Sequence, residues 1–132
     1  MSKSNYLENA ILDHMLGGPD YIRPATVYVS LYTVAPSDAG GGTEVSGPGY
    51  ARVAMTNNTI NWPASVGGVK SNGTVITFPT PTGSWGTVVA FGIHDAGVAG
   101  NLLRYGNLTV SKTVDTGDEV TFPVGDLDCT ED

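Results

Sequence analysis

The chain has 132 residues, 40% of them apolar, with 18 glycines, 8 prolines, a single cysteine and a formal net charge of −7 from 13 acidic and 6 basic residues. That length suits one domain able to bury about two thirds of its unfolded surface, and the glycines and prolines punctuate apolar runs as they do in all-β proteins. Arg23, Arg52, Lys70 and Arg104 are scattered singly, and seven of the 13 acids lie between Asp115 and Asp132, so the clustered cations that neutralise phosphates are missing and neither nucleic acid nor an anionic membrane is expected as a partner.

Residues 4 to 16 are the only convincing helix. Leu7, Ala10, Ile11, His14 and Met15 recur at spacings of three and four, Ser4 can cap the N-terminus, Glu8 sits in the first turn, and Gly17-Gly18-Pro19 ends the segment. About three turns of helix are not stable alone in water, so the stripe of Leu7, Ile11 and Met15 is expected to dock on this domain or on another protein. The N-terminal segment lacks the unbroken apolar core of a cleaved leader, and no run reaches the ~20 apolar residues of a membrane span.

Thr26 to Thr33 alternates Val27, Val29 and Leu31 with Tyr28, Ser30 and Tyr32, predicting a strand with one buried face and a tyrosine-lined second face. Ala35 to Gly49 is a surface loop with five glycines; Gly40-Gly41-Gly42 lacks the Lys-Ser/Thr and following helix of a phosphate cradle, so a contact role is expected instead. Tyr50 to Met55 reads as a strand that Asn58 to Trp62 extends after a turn, Pro63 to Gly73 as a loop, and Thr74 to Phe78 as another strand. The densest apolar stretch, Trp85 to Thr109, reads as a hairpin turning at Asp95–Gly100. Its first strand is central and covered on two sides, with Val89, Phe91 and Ile93 on one face and Val88, Ala90, Gly92 and His94 on the other. Asp118 to Phe122 and Leu127 to Thr130 close the chain. About eight short strands after one helix predict a mainly β fold, an antiparallel sandwich of jelly-roll or related Greek-key type over residues 19–132 with residues 1–18 as a docking helix.

Catalytic patterns are hard to find. No nucleophile elbow, zinc-protease helix or paired-cysteine motif occurs. His94 and Asp95 are neighbours on a strand and point to opposite faces, so a turn-positioning role is expected of them. Asp115, Asp118, Asp126 and Asp128 match no calcium loop; Cys129 reads as an inert residue of a terminal strand. Neither a cofactor nor a metal is expected, and the three Asn-X-Thr sequons at Asn57, Asn72 and Asn107 carry no weight without a leader.

The order of these segments carries a resemblance. YTVAPSDAGGGTEVSGPGYAR at residues 32 to 52, FGIHDA at 91 to 96 and GNLLRYGNLTVSKTV at 100 to 114, behind a helix ending Leu16-Gly17-Gly18, resemble small virion proteins of tailed bacteriophages, often labelled tail fibre or minor structural proteins. The likeness covers nearly the whole chain, though MTNNTINWP after Val53 departs from it. It implies a non-enzymatic structural protein of the virion, and it names no functional residue. Of the roles this leaves, a capsid decoration or cement protein in many copies is expected first, with a collar, tail or tail-fibre accessory protein as the alternative. A carbohydrate-binding module, stacking sugars on Trp62 or Trp85 beside Tyr28 and Tyr32, is a second alternative. The expected partners are other virion proteins, major capsid or tail and neck, together with copies of the chain itself, a trimer being the first guess. Leu7, Ile11, Met15, Tyr28, Tyr32, Gly40, Gly41 and Gly42 are the candidate contact residues.

Overall fold

The computed structural model describes residues 1–131. In chain order the elements are β1 (Ser2–Lys3), α1 (Asn5–Met15), β2 (Thr26–Val34), β3 (Thr43–Glu44), β4 (Val53–Thr56), β5 (Val69–Ser71), β6 (Ile76–Thr77), β7 (Gly86–His94), β8 (Leu102–Val114), β9 (Thr121–Phe122) and β10 (Asp128–Thr130). Every pairing between them is antiparallel. The fold is therefore mainly β with one short helix. The large sheet runs β1-β8-β7-β2, with β3 and β4 sharing the far side of β2; β5 pairs β10 and β6 pairs β9 in two short ribbons.

The hairpin of β7 and β8 supplies the middle of the large sheet. Asp95 closes its turn by accepting from the Asn101 backbone N–H at 2.7 Å and from the Asn101 side-chain amide at 2.8 Å, which is the turn-positioning role its place in the sequence suggested. Gly100 is required there: its φ is +72°, and an added Cβ would lie 2.6 Å from both Asp95 Oδ1 and Ala96 Cβ.

One face assignment is corrected. Val88, at 2% exposure, joins Phe91 and Ile93 in the core, while Val89 is only half-buried. The cause is a slip in the ladder: Val88 pairs Lys112 but Ala90 pairs Asn107, so β8 carries extra residues and the strict alternation of β7 is broken between the two. Beyond the slip the alternation holds, and Ala90, Gly92 and His94 share the opposite face.

The core lies between the large sheet and the two ribbons. Val27, Val29 and Leu31 of β2 meet Ile76, Phe78, Val120 and Leu127 from the ribbon side, and Phe122 packs edge-on against Phe91 with ring centroids 5.7 Å apart. Asn72 locks that layer. At 1% exposure it donates to the carbonyls of Thr74 (2.9 Å) and Pro123 (3.0 Å) and accepts from Leu127 N–H (3.0 Å), so this sequon asparagine is a buried bracket. Asn58 to Trp62 is not a strand: Asn58 Oδ1 accepts from the backbone of Ile60 and Asn61, and this side-chain-to-backbone bonding winds the chain into a turn. The expected loop 63–73 also hides β5, whose three residues carry too little pattern to read without their partner β10.

The N-terminal segment is woven into this body. Ser2 and Lys3 form an edge strand against Tyr105 and Arg104, and Ser4 then caps the helix by accepting from Leu7 N–H at 3.2 Å. Leu7 sits in the core and Ile11 packs half-buried against it, whereas Leu12, Met15 and Leu16 on the outward face are 57%, 70% and 77% exposed.

Candidate functional site

On the face of the large sheet away from the core lies a cleft of about 540 Å³, bounded by the start of α1, by Gly40 and Gly41, and by Tyr32, Arg52, His94 and Asn101. Its frame is electrostatic. Arg52 lays its guanidinium fork on Glu44, Nε to Oε2 at 2.9 Å and Nη2 to Oε1 at 2.8 Å, and Nη1 donates to the carbonyls of Ala96 and Ala99, both at 2.8 Å. Tyr50 donates its hydroxyl proton to Glu44 at 2.6 Å and accepts from Leu31 N–H at 3.1 Å. The end of β3, the segment from Tyr50 to Arg52 and the hairpin turn are thus tied together around one ion pair, and Tyr50 adds a bond to β2. Burial works against the Glu44 charge, but the bonds from Arg52 and Tyr50 outweigh it and hold the carboxyl below its ordinary range.

Below this brace lies His94, 4% exposed, with Nε2 at 2.8 Å from Ser30 Oγ and 3.3 Å from Tyr32 Oη. Burial first, and then the nearby Arg52 charge, push its pKa down from 6.5 to about 4. The imidazole is neutral in the folded chain while the unfolded chain takes up a proton near pH 6.5, so stability falls as the pH drops from there towards 4. Between pH 7 and pH 5 the loss is about 2 kcal/mol, a drop of roughly 5–10 °C in melting temperature. Scanning calorimetry at the two pH values, run beside His94→Gln, isolates this contribution from the general titration of an acidic chain. A variant that falls as steeply as the wild type would remove His94 as the cause.

The groups of this cleft are committed to one another, and the arrangement braces a surface. The family described as Podophage GP4 fiber I protein gp80 matches residues 2–130. The chain belongs to this family. It is accordingly a structural component of a phage virion. No curated protein is similar to it at a significant level, and no helix among the described residues is long and apolar enough to cross a membrane.

The contact residues expected from the sequence divide between three places in this fibre-family fold. Tyr32, Gly40 and Gly41 meet at the cleft, although Tyr32 is 5% exposed and looks inward at His94 and not outward as a tyrosine face. Gly42 lies behind them, turned by a φ of +71°, where a Cβ would come 2.6 Å from Val34 O. Tyr28 is half-buried and lies beside the hairpin turn at Gly97. Leu7 lines an apolar pocket on the core side, near Ile11, and Met15 stands clear of both. The sugar-stacking platform is not formed. Trp62 and Trp85 are 6% and 4% exposed, and the Trp85 indole donates to Pro48 O at 2.8 Å inside the core. Sequence reading missed Glu44 and Arg52. Their signal was two opposite charges, one within the glycine-rich loop and one just after it, in a chain with only 6 basic residues.

Proposed function

We propose that this protein is a subunit of a tail-fibre assembly, held in the virion by repeated non-covalent contacts and not spread over the head as a cement protein. The observation that carries the reading is the family match itself, whose description is that of a fibre protein and which spans residues 2–130. The structure supports a contact role in two respects. The brace of Glu44, Tyr50 and Arg52 fixes loops that would otherwise be mobile, giving the surface a set shape. The segment 1–18 then presents an apolar helix face that its own domain leaves uncovered, and a solvent-facing stripe of this kind is characteristic of a site that is covered on assembly. In this reading residues 1–18, anchored on the body of residues 19–132 through β1 and Leu7, supply the attachment element of a homo-oligomer, a trimer in the first instance.

Immunogold labelling of intact virions with an antibody to this chain, combined with copy-number determination by quantitative mass spectrometry, tests the placement. Label confined to the tail at a few to tens of copies is the expected result. Label over the capsid at hundreds of copies would return the protein to a decoration role.

A further inference from the structure

An open apolar pocket of about 380 Å³ separates the core side of the large sheet from the ribbon of β5 and β10. Leu7, Val27, Ile93 and Leu103 form its floor, and all four belong to the buried core. The Trp62 ring is part of the wall, and its indole N–H is the one buried side-chain donor without a partner among the described residues. An opening of this size in an apolar core forfeits contacts that an occupant would restore. The mouth carries Lys70, Arg104 and Glu131. Glu131 is already bound by Arg104 and by Lys3, at 2.7 Å, and Lys70 has no ion-pair partner among the described residues. Among the described residues of this rim Lys70 is therefore the one charge left unpaired, and it is positive in a chain of net charge −7.

The same chain offers the complementary shape. Leu12, Met15 and Leu16 point away from the domain from one side of α1, since residues 12, 15 and 16 fall within about a third of a turn of one another. Asp13 and Asp20, both exposed, flank this apolar tip. We propose that the tip of α1 from one copy seats in the core pocket of a second copy, Met15 and Leu16 entering the opening while Asp13 and Asp20 face Lys70. Apolar burial supplies the affinity and the opposite charges supply the orientation. Leu7, at the base of the helix, lines the pocket, and Leu16 is nine residues further along, about 13 Å. Donor and acceptor therefore occupy different sites on each copy, so one molecule can give its tip and receive another.

Cys129, the only cysteine, lines the pocket and permits a direct test. In Leu16→Cys, mild oxidation is expected to form a disulfide between position 16 of one chain and Cys129 of another, seen as a covalent dimer in denaturing gels and as a 16–129 linked peptide by mass spectrometry. Lys112→Cys, exposed and remote, serves as the control. In parallel, analytical ultracentrifugation of the unmodified chain should show self-association. Met15→Glu with Leu16→Glu, at positions too exposed to disturb folding, should abolish it, and Lys70→Glu should weaken it at least tenfold. Asp13→Lys in the Lys70→Glu background should recover most of the loss. A monomer at all concentrations, a linkage only between two copies of position 16, a linkage within one chain, or native mass spectrometry finding a small apolar molecule in the pocket would each overturn the proposal. The proposal goes beyond the fibre reading: a monomeric chain would sink it and leave the virion label where it is, while label on the head would leave the cross-link intact.

Discussion

Phe91→Ala is expected to lower the unfolding free energy by about 3–5 kcal/mol, a large share of what a domain of this size possesses. Phe91 sits on the central strand, its ring edge-on to Phe122 at 5.7 Å and close under Gly106, where a Cβ would come within 3.0 Å of it. Truncation removes the ring contacts that join the large sheet to the β6–β9 ribbon, and the extended backbones on both sides limit how far the hole can collapse. Urea denaturation followed by tryptophan fluorescence measures the change, because Trp62 and Trp85 are both in the core. A loss below about 1 kcal/mol would mean that the two layers are held together elsewhere.

Arg52→Ala is expected to cost about 2–4 kcal/mol, since it strips Glu44 of its partner and leaves the Ala96 and Ala99 carbonyls without a donor. The Arg52 side chain is 8% exposed and Glu44 25%, so water reaches the carboxylate and moderates the penalty without removing it. The consequence is local as well as global. Ala99 holds a φ of +55°, unfavourable for a residue with a Cβ, and Arg52 is one of the groups that keep it there. Hydrogen exchange in the 95–101 turn should accelerate in the variant before the rest of the sheet is affected. In a double-mutant cycle, Glu44→Gln combined with Arg52→Ala should cost clearly less than the sum of the two single changes, whereas additive losses would show that the pair is not coupled.

Much of the architecture was legible in the residues because local pattern is sufficient for it. The helix with its Ser4 cap, the alternation along 26–33, the Asp95-to-Asn101 turn and the central hairpin all rest on interactions within a few residues of one another, or on a period that one face must obey. Burial of both faces of β7 was also readable, from an apolar run too dense for a half-exposed strand.

What depended on distant partners was not. The slip that turns Val88 into the core arises from surplus residues in β8, more than twenty positions away in the chain, and nothing in β7 itself records it. β1 and β5 are two and three residues long, too short for any period, and exist because β8 and β10 lie beside them. Tyr32 is buried although it lies on the face away from the core, where it stacks against His94, 62 residues further along the chain. The Glu44–Arg52 brace and the core pocket are likewise properties of juxtaposition: charge and apolarity are written in the chain, but which charges meet and which apolar surface stays open are settled only when the sheets and loops are packed. Sequence alone therefore determined the class of fold and the family resemblance, which depend on local order along the chain, and the tertiary structure alone decided which charges pair and which apolar side chains stay exposed, because both depend on residues brought together from distant parts of the chain.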